Sequence, residues 1–367
     1  ESRTHHQTGQ PGWTSHLAGH KPATLITSSV GGPAAWPPYP SRSLAEPPRQ
    51  VDHGGMEARL ISGAAAARRR VAAIACGLVL FAGCVSDVSR TPDAVPQNSG
   101  GSTTTILQVG DRSAVLYVPA IHPSGAAPAL VMALHGYTGD AAGVMDFLGL
   151  RPLADQRGFL VVAPQGTTDR EGHTFWNASR ACCNFDGSAV DDSDYLSHVI
   201  TTVASNYEID PARVYVVGHS NGGFMAHRFA CEHADQVAAI ASVAGALDVD
   251  ADCTPDRPVS VLQVHGRADD TIRYGGGEIN GRSYTSAMGT VAMWRRVDEC
   301  QGRSRSGARL DADADVEGGD LTPTTWTGCR SGSAVALWTI SDGGHVPALT
   351  TAFTAALYDW FEANGRR

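Results

Sequence analysis

Residues 214–232 read VYVVGHSNGGFMAHRFACE. β-Branched apolar residues give way to a glycine-punctuated turn and then to an apolar pattern typical of a helix, so we expect a strand that turns sharply into a helix. Ser220 lies at the turn between Gly218 and Gly222, which satisfies G-x-S-x-G. This motif can arise by chance in a glycine-rich chain, but between a strand and a helix it exposes a nucleophilic hydroxyl. We therefore predict that Ser220 is a nucleophile.

A serine hydroxyl needs a base, and the base needs an acid that orients it. When the nucleophile occupies such a turn, the acid and then the histidine follow at the carboxyl ends of later strands. The stretch VSVLQVHGRADD supplies Asp269 or Asp270 after one apolar run, and AVALWTISDGGH supplies His345 after a later one. The residues themselves leave the choice between the two aspartates open.

An oxyanion site is the third requirement of acyl transfer, and two backbone amides can supply it. The strand-like stretch LVMALHGYTGD ends in His135, Gly136 and Tyr137. The amide of Tyr137 would face the same end of the sheet as the amide of Asn221, which follows Ser220. We interpret His135 as a buried structural histidine that shapes this loop.

The rest of the chain alternates apolar runs with helical periodicity after an initial hairpin that turns at Gly110 and Asp111. Uniformly apolar strands alternating with helices predict a mostly parallel sheet covered on both faces, an α/β architecture. Strands are expected near residues 129–136, 159–164, 213–218, 237–245, 259–266 and 334–340. Helices are expected near residues 141–157, 191–208, 221–232, 285–298 and 348–363.

Five stretches carry a family resemblance: LHGYTG, GHSNGGFMA, HGRADDTIRY, DGGHVP and FWNASRACCNFDGSAVDDSDYL. With them, residues 103–363 resemble the secreted α/β-hydrolases that include polyhydroxybutyrate depolymerase-like esterases, feruloyl esterases and actinobacterial lipoprotein esterases. The resemblance implies an α/β-hydrolase fold and assigns the acid role to Asp269, which closes His-Gly-x-x-Asp. The chain departs from the family pattern after His345, where it has Val346 and many members have Trp followed by Pro. It departs again at Tyr137 and Thr138, where depolymerases often have Cys and polar residues.

These features together predict a serine carboxylic-ester hydrolase that forms an acyl-enzyme intermediate and needs no cofactor or metal. The expected substrates are feruloyl or acetyl esters of polysaccharides, or short hydroxyalkanoate esters, either as small molecules or as polymers. The same catalytic groups could serve an acyltransferase or a peptidase. A non-catalytic binding protein with this fold is an alternative from another class.

Trp176 is the one tryptophan that we expect to border the substrate cleft, because Trp294 and Trp338 fall where core packing explains them. The acidic stretch DADADVEGGD at residues 311–320 is similar to a calcium loop. It lacks the glycine and the glutamate that such a loop requires at fixed positions. We therefore expect a solvated acidic loop.

Residues 1–55 are rich in Pro, Gly, Ser and His, and we interpret them as an over-extended or disordered segment before a start at Met56. Three arginines precede the apolar run VAAIACGLVLFAGC, which ends at Cys84. This pattern predicts a signal peptide over residues 56–84 with a lipobox-like end and lipidation of Cys84, although simple secretion or a buried core helix is the alternative. A flexible linker over residues 85–102 and a catalytic domain over residues 103–367 would follow.

Past Cys84 the chain has 20 arginines, no lysine and 33 acidic residues, which is a formal charge of −13. Nucleic acid is therefore a poor candidate partner, and membrane contact is expected only through a lipid on Cys84. The predicted location is outside the cell or anchored to a bacterial envelope.

Six cysteines follow Cys84, and in an exported chain without metal-ligand spacing they predict disulfides. Cys182 and Cys183 are adjacent, so we expect each to pair with a distant partner rather than with the other. We predict one bond between Cys300 and Cys329 and another from Cys231 to one of the adjacent cysteines.

Overall fold

A computed structural model of the protein describes residues 101–121 and 126–366. The predicted extension, the signal peptide with Cys84 and nearly all of the predicted linker lie outside these residues. Within the described ranges, no helix combines the length and the apolar character that crossing a membrane requires.

The strands fall at the predicted apolar runs and at several further places. In chain order they are β1 (Thr103–Val109), β2 (Arg112–Val118), β3 (Leu130–Leu134), β4 (Leu160–Pro164), β5 (Thr167–Thr168), β6 (Thr174–Phe175), β7 (Val214–His219), β8 (Ala239–Val243), β9 (Ser260–Gly266), β10 (Gly277–Ile279), β11 (Arg282–Tyr284), β12 (Ser304–Ser306), β13 (Leu321–Trp326) and β14 (Val335–Ile340).

The helices separate these strands, as the alternating pattern predicts. They are α1 (Ala141–Phe147), α2 (Leu150–Arg157), α3 (Asp192–Asn206), α4 (Asn221–Glu232), α5 (Ala287–Val297) and α6 (Thr351–Ala363), with 3-10 turns at Pro211–Arg213 and Arg330–Gly332.

A ten-stranded sheet forms the centre, in the order β1-β2-β4-β3-β7-β8-β9-β14-β13-β12. The six strands from β4 to β14 in this order run parallel, whereas β1, β2, β13 and β12 add antiparallel edges. The central strands are buried along their whole length, which accounts for their continuous apolar sequences. This is the α/β-hydrolase fold, as predicted.

Helices cover both faces of the sheet. Alternate strand residues such as Leu262 and Val264 pack in one core cluster with residues of α1, α2 and α6. Gln263 lies between them on β9 and therefore points to the opposite face, where it contacts His227 of α4. Alternate residues of the same strand therefore pack on opposite faces of the sheet.

The helix predicted over residues 141–157 is divided into two. Gly149 lies between α1 and α2 with a φ of 62°, a left-handed conformation that stops the first helix and starts the second at a new angle. The edge strands β12 and β13 and the short hairpin of β10 and β11 were not predicted, because their sequences lack a sustained apolar run.

The prediction of a solvated loop at residues 311–320 is wrong for two of its carboxylates. Asp313 and Asp320 are each 3% exposed. Asp320 accepts hydrogen bonds from the amides of Ala312 and Asp313, at 2.7 and 3.2 Å. Asp313 accepts one from the amide of Ala348 at 2.9 Å, just before α6. These carboxylates tie the loop to the segment after β14, because buried backbone amides need acceptors.

The disulfides agree with one predicted pair and correct the others. Cys300 is bonded to Cys329, as predicted. Cys231 at the end of α4 pairs with Cys253, whose Cα lies 5.0 Å away, and not with an adjacent cysteine. Cys182 and Cys183 are therefore left with each other and are bonded together, contrary to the prediction.

Candidate active site

Ser220 connects β7 to α4, and its backbone has a φ of 54° and a ψ of −119°. Non-glycine residues rarely adopt a positive φ, so surrounding packing must hold this strained position. A Cβ on Gly218 would lie 2.0 Å from the carbonyl oxygen of Gly222, and a Cβ on Gly222 would lie 2.2 Å from that of Leu134. Any side chain at either glycine would displace the turn that carries Ser220.

The structure brings Ser220, His345 and Asp269 into one chain of hydrogen bonds. His345 Nε2 lies 2.9 Å from Ser220 Oγ, and His345 Nδ1 lies 2.9 Å from Asp269 Oδ2. The three residues are 2%, 6% and 4% exposed, respectively. Asp270 is exposed and makes no hydrogen bond to His345 in the described contacts. The geometry thus selects Asp269 between the two neighbours.

The Asp269 carboxylate is held by donors on both oxygens. Oδ1 accepts hydrogen bonds from the amides of Thr271 and Ile272, at 3.0 and 2.8 Å. Oδ2 accepts from His345 and lies 3.3 Å from His265 Nε2. Burial alone would raise the pKa of Asp269, but the hydrogen bonds from His265 and His345 outweigh it and hold that pKa far below the usual range. The group is therefore an oriented, ionised carboxylate at neutral pH.

The loop that carries His345 is fixed from two sides. A Cβ on Gly266 would lie 2.1 Å from the carbonyl oxygen of Gly343, so the end of β9 and this loop touch backbone to backbone. His219 Nε2 donates a hydrogen bond to the His345 carbonyl oxygen at 2.8 Å. Burial lowers the pKa of His219 to about 3, so this histidine is a neutral support. The His345 imidazole is thereby directed toward Ser220.

The backbone around Ser220 also meets the end of β3. Leu134 pairs with Gly218 in the parallel register of β3 and β7, so both strands end at the same edge of the sheet. The close approach of Gly222 to Leu134 packs the start of α4 against this edge. The residues predicted to supply oxyanion amides, Tyr137 and Asn221, therefore lie just past the ends of neighbouring strands.

Side-chain contacts fix the conformation of both of those residues. The Tyr137 hydroxyl donates to Asp169 Oδ2 at 2.6 Å, and its ring packs edge-on against Phe185. Asn221 Oδ1 accepts from the Trp176 amide at 2.7 Å, and its Nδ2 donates to the Trp176 carbonyl oxygen at 3.0 Å. Such pairing leaves little freedom in the backbone on which the amides are carried.

His135 is buried, as predicted. Its Nε2 accepts a hydrogen bond from the Gly166 amide at 2.9 Å, and its Nδ1 donates to the Gly136 carbonyl oxygen at 2.8 Å. Burial lowers its pKa to about 4, which keeps the ring neutral. His135 thus braces the loop after β3 rather than competing with His345 as a base.

Trp176 was predicted to border the cleft, but the structure places it in the core. Its side chain is completely buried, and its Nε1 donates to the His135 carbonyl oxygen at 2.9 Å. The ring also contacts the rings of His135 and Tyr195. Trp176 therefore supports the loop after β3 from behind, because its indole is used in packing and in a hydrogen bond within the core.

Sequence reasoning missed two side chains at this site, His265 and His219. His265 lies within the HGRADD stretch, and His219 is the variable residue before Ser220. A histidine close to a motif was the available signal, but its contact partners depend on packing. In the part of the chain that the structure describes, no group of three or more His, Cys, Asp or Glu side chains is arranged to hold a metal ion.

Comparisons with known proteins show the family of the chain and relatives that are named as esterases. The Hydrolase_4 family, described as serine aminopeptidase, S33, matches residues 125–312. A putative esterase, NocK, of Nocardia uniformis subsp. tsuyamanensis is 32% identical over 244 residues, which are 61% of this chain and 69% of that protein. Feruloyl esterase B of Piromyces equi is 28% identical over 179 residues, which are 46% of this chain and only 31% of the relative.

Among the solved structures that share the fold, one covers most of this chain. The acetyl xylan esterase from Aspergillus awamori superposes with a TM-score of 0.50 at 19% identity, and the match covers 72% of this chain and 99% of that one. At this identity the likeness concerns the fold alone.

Proposed function

Because the chain belongs to the Hydrolase_4 family of α/β-hydrolases, described as serine aminopeptidase, S33, we propose that it is a serine carboxylic-ester hydrolase that works through an acyl-enzyme intermediate. Membership of a fold family does not determine a reaction, so the proposal depends on the site. The observation that carries it is the continuous set of hydrogen bonds from Ser220 through His345 to Asp269. We assign the reaction to the domain over residues 103–367.

In the first half of the proposed reaction, Ser220 Oγ attacks the ester carbonyl carbon while His345 Nε2 takes the hydroxyl proton. The carbonyl oxygen becomes an oxyanion, which the backbone amides of Tyr137 and Asn221 stabilise. Asp269 keeps the proton of His345 on Nδ1 and stabilises the imidazolium. The protonated His345 then donates its Nε2 proton to the leaving alcohol, the bond to that alcohol breaks, and the acyl group remains on Ser220.

The second half repeats these steps with water. His345 takes a proton from a water molecule, which attacks the acyl carbon, and a second oxyanion forms at the same amides. Its collapse breaks the bond to Ser220, returns the proton to Oγ and releases the carboxylic acid. The protein's residues complete both proton transfers, because each proton that His345 takes is returned within the same half-reaction.

For the substrate we propose feruloyl or acetyl esters of plant polysaccharides, with short hydroxyalkanoate esters as the further option from the polyhydroxybutyrate depolymerase-like resemblance. The name of one relative, a feruloyl esterase, supports the first group. The discriminating experiment compares kcat/KM on feruloyl, acetyl-xylan and hydroxyalkanoate esters with the same preparation. A preference for the hydroxyalkanoate of tenfold or more would move the assignment to that group.

A peptidase is the second candidate, and the family description of a serine aminopeptidase favours it. The same nucleophile, base and oxyanion amides would serve an amide bond. Matched ester and amide substrates of one acyl group distinguish the two activities. Faster turnover of the amide at equal concentration would replace the esterase proposal with the peptidase.

The test of the proposal is Ser220→Ala, assayed with p-nitrophenyl acetate and with a fluorophosphonate probe. We expect a loss of activity of about 10⁴-fold or more and no labelling, since removal of one member of such a unit disables it. Ser205→Ala, on the exposed side of α3, is the matched control and should behave as wild type. A non-catalytic protein of this fold would not react with the probe before mutation, and retained activity in Ser220→Ala would assign the nucleophile elsewhere.

We propose in addition that the protein is exported and anchored through a lipid on Cys84. The supporting features are the three arginines, the short apolar run and the small residues before this cysteine. Two or more acyl chains hold a protein firmly to a membrane. Cys84→Ser should release active enzyme from the membrane fraction of a native host. Wild-type protein found only in the medium, with an N-terminus beyond Cys84, would favour simple secretion.

A further inference from the structure

Four polar side chains form a connected set that reaches Asp269 through His265, and they take no part in the proposed proton transfers. They are Trp294 on α5, His227 on α4, and Gln263 and His265 on β9. The first three are completely buried, and His265 is 1% exposed. Buried polar groups are costly unless each finds a partner, so such a set calls for a reason beyond packing.

The hydrogen bonds among these side chains run in one direction. The Trp294 indole has only a donor, and its Nε1 lies 3.0 Å from His227 Nδ1, which must therefore accept. Burial lowers the pKa of His227 to about 4, so the ring is neutral and carries its proton on Nε2. This Nε2 donates to Gln263 Oε1 at 3.1 Å.

The other end of the set fixes the same direction independently. Gln263 Nε2 donates to the carbonyl oxygen of Gly245 at 2.8 Å, so the amide orientation is determined. The same Nε2 lies 3.1 Å from His265 Nδ1, which accepts. His265 Nε2 lies 2.6 Å from the carbonyl oxygen of Ile272, which can only accept, so the proton of His265 is on Nε2. His265 Nε2 also lies 3.3 Å from Asp269 Oδ2.

We propose that Trp294, His227, Gln263 and His265 form a directed hydrogen-bond relay that holds His265 in the Nε2–H tautomer and thereby positions the Asp269 carboxylate for His345. The inference rests on the proposed function, since it concerns how the acid of that reaction is oriented. These four are positioning residues, because none of them touches Ser220 or a substrate.

The relay explains why polar residues occupy positions that leucine or methionine could fill at lower cost. Asp269 Oδ2 bonds to His345 and lies 3.3 Å from His265 Nε2, so the polar N–H of His265 favours the orientation in which this oxygen stays between the two rings. The relay also joins the helix that follows Ser220 to the strand that precedes Asp269, since His227 lies on α4 and Gln263 on β9. The nucleophile and the acid are thus held by one internal connection.

The first test needs no variant to be active. Long-range proton–nitrogen NMR spectra of the full protein with isotope-labelled histidine report which ring nitrogen carries each proton, and His265→Gln and His227→Gln identify the two signals. We expect the proton of each histidine on Nε2 and its Nδ1 to accept a hydrogen bond. A proton on Nδ1 of His265 would overturn the relay.

The second test is kinetic. His265→Leu removes the donor to Asp269 and should lower kcat for p-nitrophenyl acetate about ten- to a hundred-fold, the usual effect of one hydrogen bond to a charged group, with little change in KM. His265→Gln restores an N–H at a similar reach and should recover part of that loss. Gln263→Met removes the donor to His265 at nearly constant volume and should lower kcat by a smaller factor, so a folded variant remains if His265→Leu is unstable.

Two controls separate positioning from packing. Thr354 lies on α6, and Thr354→Val deletes its buried hydrogen bond to the carbonyl oxygen of Leu148, so it should lower thermal stability without changing kcat. In an Asp269→Asn background, His265→Leu should have almost no further effect, because its role passes through the carboxylate. An equal loss in both backgrounds, or an unchanged kcat with only a lower Tm, would overturn the proposal.

Failure of the relay is distinguishable from failure of the proposed function. If Ser220→Ala abolishes activity and the relay variants do not change kcat, only the relay is wrong. If the wild-type protein hydrolyses no ester, the proposed function is wrong, while the NMR tautomers still report on the hydrogen bonds.

Discussion

Asp269→Asn should reduce kcat by about 10⁴-fold while leaving the fold intact, and the structure indicates why. The substitution replaces one carboxylate oxygen with an NH₂ group. Oδ1 accepts hydrogen bonds from two backbone amides, those of Thr271 and Ile272, so the new NH₂ group should not take the place of Oδ1. Placing a donor against these two amides would cost about 1–3 kcal/mol for each stranded group. The NH₂ group therefore takes the place of Oδ2, opposite His345 and His265.

This placement reverses the tautomer of His345. The NH₂ group donates to Nδ1, so the ring proton moves to Nε2 and faces Ser220, where it prevents proton abstraction. Restoring the productive tautomer loses a charge-assisted hydrogen bond of about 1.5–3 kcal/mol and strands a buried donor at about 1–3 kcal/mol, which together correspond to about 10²–10⁴-fold in rate. The variant also loses the negative charge that stabilises the imidazolium, so we expect a rate loss at the upper end of this range.

The assay is the pre-steady-state and steady-state hydrolysis of p-nitrophenyl acetate, with thermal unfolding as the check on folding. Asp270→Asn is the matched control, because Asp270 is exposed one residue away and should keep activity near that of wild type. If Asp270→Asn caused the larger loss, or if Asp269→Asn kept more than about a tenth of wild-type kcat, the tautomer argument would be wrong.

Gly222→Ala should abolish esterase activity, because the added Cβ would lie 2.2 Å from a carbonyl oxygen at the end of β3. Gly275→Ala is the control and should be tolerated, because a Cβ there would have nothing within 4 Å. Activity near that of wild type in Gly222→Ala would contradict the geometry of the turn at Ser220. Burial raises the pKa of Asp298 to about 7, so the native state binds a proton that the unfolded chain has released between about pH 4 and pH 7, and stability falls as the pH rises through that window. Asp298→Asn should therefore raise Tm more at about pH 8 than at about pH 5, and an equal shift at both would refute this. Replacing Cys300 and Cys329 by serine, which opens a loop of sequence separation 29, should lower the free energy of unfolding by about 3–4 kcal/mol in denaturant titrations; a change below about 1 kcal/mol would argue that the bond adds little.

Local patterns in the sequence were sufficient for the elements that position the site. The apolar runs of β3, β7 and β9 predict central parallel strands because burial on both faces leaves no polar alternation. Gly218 and Gly222 predict the turn at Ser220 because the chain can pass there only without side chains. The order of serine, acid and histidine along the chain then follows from the parallel strands, whose carboxyl ends meet at one edge.

Only the tertiary structure decided which groups touch across that edge. The residues left Asp269 and Asp270 open until the resemblance favoured the first, and the contact with His345 separates them physically. Cys231 could reach several cysteines by sequence spacing, and its pairing with Cys253 depends on how α4 packs. The sequence allowed Trp176 to border the cleft, yet its burial depends on loops from distant parts of the chain.

The buried polar groups are where sequence reasoning stopped, for one physical reason. Periodicity reports which face of a strand or helix is buried, and each residue contributes to it independently of the others. A hydrogen bond depends on two groups at a separation and angle set by the whole fold. The positions of His265 on β9 and of Asp313 in the acidic loop were readable from the sequence. Their partners, Asp269 and the backbone before α6, were decided by the packing of strands and helices that lie far apart in the chain.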